Sequence, residues 1–340
     1  MRHTIEEKRK MRNQRKKRKQ HQKSQLKRAA LIQDAFRDVK AKSDQQRSIA
    51  STYYKLWKRS VDVNKKLQTK LDNRASNNKV TQLNMSSSST CTVPVGITTI
   101  QHEELEEISN ESIGNGVFGN CFLKKFIRLG ITVVEKQLID STADMLYKEA
   151  IFMQKLSHRC IPLLFGVQLD KKPISLIMQF IGENNQSITV FKLLFDPLYQ
   201  HQASEMSTKT WLCICYDITD ALDHMHQRGY LHCDLKSNNV LVAQNKGYLI
   251  DFGKVCEISR PKAKKYKEVY THIAPEVLKG YPVTTASDMY SLGRVLKAIG
   301  KKISSTILLQ LANAATDLNP TKRPTLLKIL TMLNAENIHS

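Results

Sequence analysis

The N-terminal part of the chain lacks the two residues that most often interrupt helices, since no proline or glycine occurs before Pro94. Lys, Arg, Gln, Ala and Leu are frequent in residues 1–75 instead, and all five favour helix. The sequence also has no apolar run of about 18 residues and no apolar segment behind its N-terminal charges. It therefore indicates neither a membrane span nor a secretory signal, and residues 1–75 are predicted to form a basic helical arm.

Paired cysteines are also missing. The seven cysteines include no C-x-x-C pair, and Cys213 and Cys215 stand together without a second pair or a histidine cluster. This spacing argues against a metal site and against a disulfide framework. Scattered free thiols are typical of a reducing compartment, so the protein is predicted to be intracellular.

Acidic residues are scarce in the arm. The chain has 53 Lys and Arg against 31 Asp and Glu, a net charge of +22, and residues 1–80 hold 25 of the basic and 7 of the acidic residues. Residues 8–19 are charged on every helical face, so they must be solvated or neutralised by a polyanion. Such a run predicts a nuclear-import receptor contact, a nucleic-acid or acidic-lipid contact, or a solvated tail, with the protein in the nucleus, the cytoplasm or both.

The second half of the arm carries a short coiled-coil pattern. Ile49, Tyr53, Leu56, Val63 and Leu67 follow the spacing of an a/d seam. Residues 32–71 could therefore self-associate, or the same helix could pack on the body of its own chain; the two interpretations stand equal. Residues 76–104 are polar and Ser-rich without periodicity, which predicts a flexible linker whose serines a tethered enzyme could modify.

Residues 230–240, with the sequence Y-L-H-C-D-L-K-S-N-N-V, place an Asp, a Lys and an Asn at fixed intervals. A phosphoryl-transfer site needs a carboxylate to accept a hydroxyl proton, a cation to neutralise the moving phosphoryl group and an amide oxygen to help hold a metal ion. This stretch resembles the catalytic loop of eukaryotic protein kinases. The resemblance makes Asp234 the base, Lys236 the phosphate clamp and Asn239 a Mg²⁺ ligand. One short motif can also occur by chance in a surface loop with none of these roles, which is the less favoured interpretation.

Gly114, Gly116 and Gly119 form a G-x-G-x-x-G loop. Dinucleotide-binding folds use this pattern too, but they need an acidic residue about 20 positions on, after a helix. Here the following segments have strand patterns and supply Lys136 in V-V-E-K. By resemblance to kinases, Lys136 would contact the ATP phosphates and Glu149 would be its ion-pair partner.

The resemblance also implies a site for ATP and Mg²⁺. Met178 occupies the gatekeeper place, Gln179 and Ile181 belong to the hinge, and Asp251 of D-F-G would bind Mg²⁺ together with Asn239. The residues expected at the nucleotide are Ile113, Gly114, Asn115, Gly116, Gly119, Cys121, Val134, Lys136, Met178, Gln179, Ile181 and Leu241.

The remaining motifs follow in kinase order. Glu276 of A-P-E would pair with Arg323, and Asp288 would hydrogen-bond the catalytic loop. Together the motifs cover the chain beyond the linker and imply a bilobal α+β kinase fold over residues 105–338, with a β-rich lobe at about 105–183 and a mostly helical lobe at about 184–338. The loop sequence D-L-K-S-N-N-V most resembles the tyrosine-kinase-like branch of the serine/threonine kinases.

Three positions depart from the kinase pattern. Cys233 replaces the Arg of H-R-D, Val269 stands where Thr is expected, and His272 stands where Tyr or Trp is expected. The missing Arg predicts an activation loop that needs no phosphate to become ordered, and the basic residues of that loop favour acidic peptide substrates. The predicted activity is transfer of the γ-phosphoryl group of Mg·ATP to Ser or Thr of proteins. The alternatives are a pseudokinase scaffold and polyanion binding through the arm.

Overall fold

The computed structural model describes residues 96–116, 119–139, 142–263, 266 and 268–339. The predicted helical arm over residues 1–75, its coiled coil over 32–71 and most of the linker over 76–104 lie outside these residues. They stay predictions.

The first part of the described chain forms an antiparallel sheet. Its five strands are β1 (Leu105–Gly116), β2 (Gly119–Phe126), β3 (Ile131–Leu138), β4 (Leu164–Gln168) and β5 (Ser175–Gln179), in the order β1-β2-β3-β5-β4. One helix, α1 (Ala143–Lys155), lies between β3 and β4 in sequence and begins where the Thr142 side chain accepts a hydrogen bond from the Met145 N–H. Strand β5 ends at Gln179, the first of the predicted hinge residues.

The second part of the described chain is mostly helical. Its helices are α2 (Val190–Phe195), α3 (Gln200–Glu205), α4 (Thr208–Gln227), α5 (Pro275–Leu278), α6 (Thr285–Lys302), α7 (Thr306–Ala315) and α8 (Leu326–His339). Short strands form two small sheets, β6 (Ile188–Thr189), β8 (Val240–Ala243) and β9 (Lys246–Leu249) in one, β7 (Tyr230–Leu231) and β10 (Cys256–Glu257) in the other. Single 3-10 turns occur at His102–Glu104, Ile127–Leu129, Pro197–Tyr199, Ser237–Asn239 and Pro320–Lys322.

Helix α4 is the central element of the helical lobe. Trp211, Ile214, Ile218 and Leu222 recur at helical spacing and are fully buried, as the periodicity predicts. The helix ends before Gly229, whose φ of +82° lies in the left-handed region that glycine adopts at low cost. The chain then turns into β7 and the catalytic loop. A β-rich lobe followed by a mostly helical lobe confirms the predicted bilobal fold.

Across the residues that the structure describes, no helix is both long and apolar enough to span a membrane.

Candidate active site

A buried carboxylate anchors the catalytic loop, residues 230–240. Asp288, on α6, accepts hydrogen bonds from the backbone N–H of His232 at 2.8 Å and of Cys233 at 2.9 Å, and His226 Nε2 lies 3.0 Å from the same carboxylate. Burial alone would raise the pKa of Asp288, but the contact with His226 and the two backbone donors lower it overall. The predicted contact between Asp288 and the catalytic loop is therefore present. It holds Cys233 at a φ of +66°, directly before Asp234.

Both carboxylate oxygens of Asp234 are in contact with donor groups. Oδ2 lies 3.0 Å from Lys236 Nζ and 3.4 Å from Asn239 Nδ2, and the Asn239 amide also donates to the Asp234 carbonyl at 2.9 Å. Oδ1 lies 2.7 Å from Lys254 Nζ and 3.3 Å from His272 Nε2. Burial opposes the charge of Asp234, but the hydrogen bonds from His272 and Lys254 and the nearby lysine charges lower the pKa of Asp234 well below its usual value. The group is therefore a carboxylate at neutral pH.

The contacts of Lys254 and His272 with Asp234 were not predicted from the sequence. Lys254 directly follows D-F-G, and His272 was singled out only as a departure from the A-P-E region. They reach Asp234 across 20 and 38 sequence positions, through the path of the activation segment, residues 251–276. The available sequence signal was the cation directly after D-F-G.

A second ion-pair group lies at the sheet. Lys136 Nζ, on β3, is 2.7 Å from Glu149 Oε1 on α1 and 3.1 Å from Asp251 Oδ1. All three side chains come from distant sequence positions, and Lys136 and Glu149 are buried. Burial disfavours the Lys136 ammonium, but the two carboxylates outweigh this cost and raise the pKa of Lys136. The predicted pairing of Lys136 with Glu149 is present, and Asp251 joins it with a φ of +67°.

Strand register brings several predicted nucleotide residues together. Gly114 is paired with Cys121, Cys121 with Lys136, and Val134 with Met178. Burial raises the pKa of the Cys121 thiol to about 11, so this strand position carries a neutral side chain. Ile113, Asn115 and Gly116 also lie on β1, and the structure does not describe the side chain of Asn115.

Strand β3 lies too close to Gly119 for a side chain to fit at this position. A Cβ at this position would lie 2.2 Å from the Gln137 carbonyl oxygen, whereas among the described residues one on Gly114 would meet only the Cys121 Cβ, at 4.0 Å. The last glycine of the loop therefore permits close strand packing, whereas none of the described residues crowds the first.

Two backbone groups at and after the end of β5 already form hydrogen bonds within the protein. The Gln179 N–H donates to the Leu163 carbonyl at 2.8 Å, and the Ile181 carbonyl accepts from Ser187 Oγ at 2.7 Å. Ile181 would therefore contact an adenine through its N–H, and Gln179 would not do so through its own. Leu241 lies on β8, half-buried and paired with Thr189 and Tyr248.

The end of the activation segment is tied to the helical lobe. Arg323 forms two parallel bonds to Glu276, at 2.7 and 2.9 Å, and also donates to the Ala286 and Asp317 carbonyls at 2.8 and 2.9 Å. This is the predicted Glu276–Arg323 pair. Val269, in contrast, is 82% exposed, so near its A-P-E end the activation segment contacts Asp234 through His272 and not through position 269.

The donor set suits a magnesium ion better than a metal held by protein alone. In the described part of the chain, no group of three or more His, Cys, Asp or Glu residues could hold a metal ion. Mg²⁺ keeps several waters and takes only one or two protein ligands in addition to substrate phosphates. Asn239 uses its amide nitrogen to hold Asp234, so its oxygen is the atom available to a cation, as is the carboxylate of Asp251. These two residues therefore fit Mg²⁺.

The two-lobed fold, with one carboxylate in the catalytic loop and a Lys–Glu–Asp group at the sheet, defines a phosphotransferase class of protein. A family model described as "Protein kinase domain" matches residues 108–305. The chain belongs to the protein kinase family.

Relatives across eukaryotes share this stretch. The chain is 31% identical over 207 residues to a probable serine/threonine-protein kinase of Dictyostelium discoideum, covering 59% of this chain and 33% of the relative. It is 27% identical over 212 residues to the mouse dual specificity testis-specific protein kinase 2, covering 59% of this chain and 35% of the relative. An Aurora kinase of Schizosaccharomyces pombe is 27% identical over 190 residues, covering 53% and 50%. The chain thus spans a third to a half of the length of these relatives.

Proposed function

We propose that this protein transfers the γ-phosphoryl group of Mg·ATP to serine or threonine hydroxyls of proteins. The observation that carries the proposal is the state of Asp234. It is an ionised carboxylate held beside Lys236 and Asn239, while Lys136 is simultaneously paired with Glu149 and Asp251. Phosphoryl transfer depends mainly on positioning and charge stabilisation, and both groups of residues supply these.

In the proposed reaction, the substrate hydroxyl oxygen bonds to the γ-phosphorus as the bond to the β-phosphate oxygen breaks and ADP leaves. Asp234 orients the hydroxyl and accepts its proton, and Lys236 neutralises charge on the moving group. Lys136 holds the α- and β-phosphates. A Mg²⁺ ion bound through Asn239 and Asp251 would supply positive charge to the phosphate oxygens.

The contacts of Asp234 indicate which of its two carboxylate oxygens faces the substrate. Lys236 is the phosphate clamp and contacts Oδ2, so the attacking hydroxyl approaches on the Oδ2 side. Lys254 and His272 hold Oδ1 on the other side and fix the orientation of the carboxylate. The serine/threonine preference rests on the Lys236 motif and on the names of relatives, among which both serine/threonine and dual-specificity kinases occur.

The test is transfer of label from radioactive Mg·ATP to generic proteins and to the protein itself, followed by phosphoamino-acid analysis. Asp234→Asn is expected to lower the turnover number by about 10²- to 10⁴-fold, since it removes the base and leaves the nucleotide contacts in place. Phosphotyrosine alone would contradict the hydroxyl class. If wild type and variant were equally inactive and both bound nucleotide, the protein would be a scaffold.

A further inference from the structure

Two cysteines meet where the catalytic loop and the activation segment run side by side. Cys233 directly precedes Asp234, and Cys256 lies on β10, three residues after Gly253 of D-F-G. Their sulfur atoms are 3.5 Å apart. Strand β10 pairs with β7 with Cys256 opposite Leu231, so the contact is fixed by a backbone ladder on one side. The left-handed φ of Cys233, held by the Asp288 hydrogen bond, fixes the other side.

The pair differs chemically from the other described cysteines. Cys233 Sγ has two acceptors within reach, the Leu231 carbonyl at 3.6 Å and the sulfur of Cys256. The contact with Cys233 lowers the pKa of Cys256, and the backbone N–H and the charge of Lys262 act in the same direction against the effect of burial. A thiolate is the reactive form of cysteine, so one sulfur can react first and the second lies beside it.

We propose that Cys233 and Cys256 form an oxidative modification site, at which hydrogen peroxide or a similarly small peroxide joins the catalytic loop to the activation segment by a disulfide bond. This site is separate from the proposed phosphoryl transfer, because neither sulfur contacts Asp234, Lys136 or Asp251 in the described contacts.

The reaction has two steps. The Cys256 thiolate attacks one peroxide oxygen, the O–O bond breaks, and sulfenic acid and hydroxide form. Cys233 then attacks the sulfenic sulfur, the S–O bond breaks, and the Cys233 proton and the hydroxyl group leave as water. Two thiols lose two electrons in total, and the peroxide is reduced to two waters.

Burial decides which oxidants can react. Cys256 is 3% exposed and Cys233 is half-buried, so a water-sized peroxide fits where a bulky disulfide does not. Oxidised glutathione is therefore expected to leave Cys256 unmodified.

Bond formation draws together the two segments that position the base. A disulfide has an S–S distance of about 2.0 Å, so the two sulfurs must approach by roughly 1.5 Å. Cys233 precedes Asp234, and Cys256 lies two residues after Lys254, which holds Asp234 Oδ1. A displacement of about 1 Å at a catalytic group can lower turnover by up to 10²-fold, so we expect the oxidised protein to be at least tenfold slower.

The test starts with the full-length, fully reduced protein, treated with hydrogen peroxide, alkylated and digested for mass spectrometry. The expected result is a peptide pair linked through Cys233 and Cys256, which dithiothreitol releases. Cys256→Ser and, should it fail to fold, Cys256→Ala remove the link. Cys213→Ser is the matched control, because Cys213 is a half-buried cysteine on α4, and it keeps the link.

Activity is measured on the same samples. Wild type is expected to lose at least tenfold in turnover on oxidation and to recover in dithiothreitol, whereas Cys256→Ser loses less than twofold. The proposal is overturned if peroxide leaves both thiols free or produces only sulfinic acid, if glutathione forms a stable adduct on Cys256, or if the bond forms without slowing turnover. If the reduced protein transfers no phosphoryl group, the proposed function fails, while the mass measurement still decides whether the site exists.

Discussion

At the scale of single residues, the Asp234 side chain is held by two sets of neighbours, one from its own loop and one from the activation segment. Lys236 and Asn239 belong to its own loop, and the resemblance of that loop to the kinase catalytic loop predicted them. Lys254 and His272 come from the activation segment, and no local spacing indicates that they end within 3.3 Å of the same carboxylate. Their contacts depend on the tertiary path of residues 251–276, which sequence patterns do not determine.

Replacing Lys254 by Met tests the orienting role of the Oδ1 contacts. We expect the turnover number to fall about tenfold, since the carboxylate loses a 2.7 Å partner on the side away from the substrate. The KM for ATP should change less than twofold, because the residues proposed to hold the nucleotide and its Mg²⁺ ion, Lys136 and Asp251, are unchanged. Steady-state kinetics with varied ATP provide the measurement.

The control for Lys254→Met is Lys279→Met, which removes the same charge from an exposed position after the activation segment. An increase in turnover for Lys254→Met would mean that Lys254 restrains the base and does not orient it. His272→Gln retains an N–H donor near Oδ1 and should keep most of the activity.

Asp288 links stability to pH. Its pKa is lower in the folded protein than the unfolded value of about 3.9, so its stabilising contribution is complete above that value and is lost as pH falls through the folded pKa. Asp288→Asn should lower the free energy of unfolding by about 3 kcal/mol at pH 7, because two buried backbone N–H groups share one remaining acceptor oxygen. Denaturant unfolding measures this difference.

The difference between wild type and Asp288→Asn should shrink as the pH falls below about 4, because the side chain at position 288 is then neutral in both proteins. Asp223→Asn, a substitution on the partly exposed surface of α4, is the matched control and should change stability by less than about 0.5 kcal/mol. A difference that stays constant or grows as the pH falls below 4 would contradict the sign of this linkage.

At the scale of secondary-structure elements, α4 could be predicted from apolar periodicity, and its end from Gly229. The close pairing of β7 with β10 could not, because each strand has only two residues and its register depends on the lobe around it. The contact between Cys233 and Cys256 was missed for the same reason. A two-residue ladder carries too little sequence pattern to recognise.

The glycines of the loop between β1 and β2 should respond differently to the same substitution. Gly119→Ala places a methyl group 2.2 Å from the Gln137 carbonyl, so the β2–β3 ladder must shift and the KM for ATP should rise about tenfold or more. Gly114→Ala has its nearest neighbour at 4.0 Å and should fold with wild-type stability. Thermal unfolding and ATP titration of both variants distinguish the two positions, and equal losses of stability would contradict the steric explanation.

At the scale of the whole molecule, charge is divided unequally along the chain. The described residues contain all of the predicted catalytic groups, whereas residues 1–80 carry 25 Lys or Arg against 7 Asp or Glu. Turnover on a short peptide should therefore depend on the kinase domain, and binding to large anions on the arm. The two properties can be changed separately.

Replacing the nine Lys and Arg of residues 8–19 by Gln in the full-length chain tests this separation. Each phosphate contact contributes about 0.9 to the slope of log K against log salt on double-stranded DNA, so we expect the slope to fall by several units. The loss should be equal for unrelated DNA sequences, because the run has no interleaved aromatic residues to read bases. Turnover on a short peptide should stay within twofold of wild type, which shows that the kinase domain is intact. An unchanged salt slope would place the polyanion contact elsewhere on the chain and leave residues 8–19 as a solvated segment.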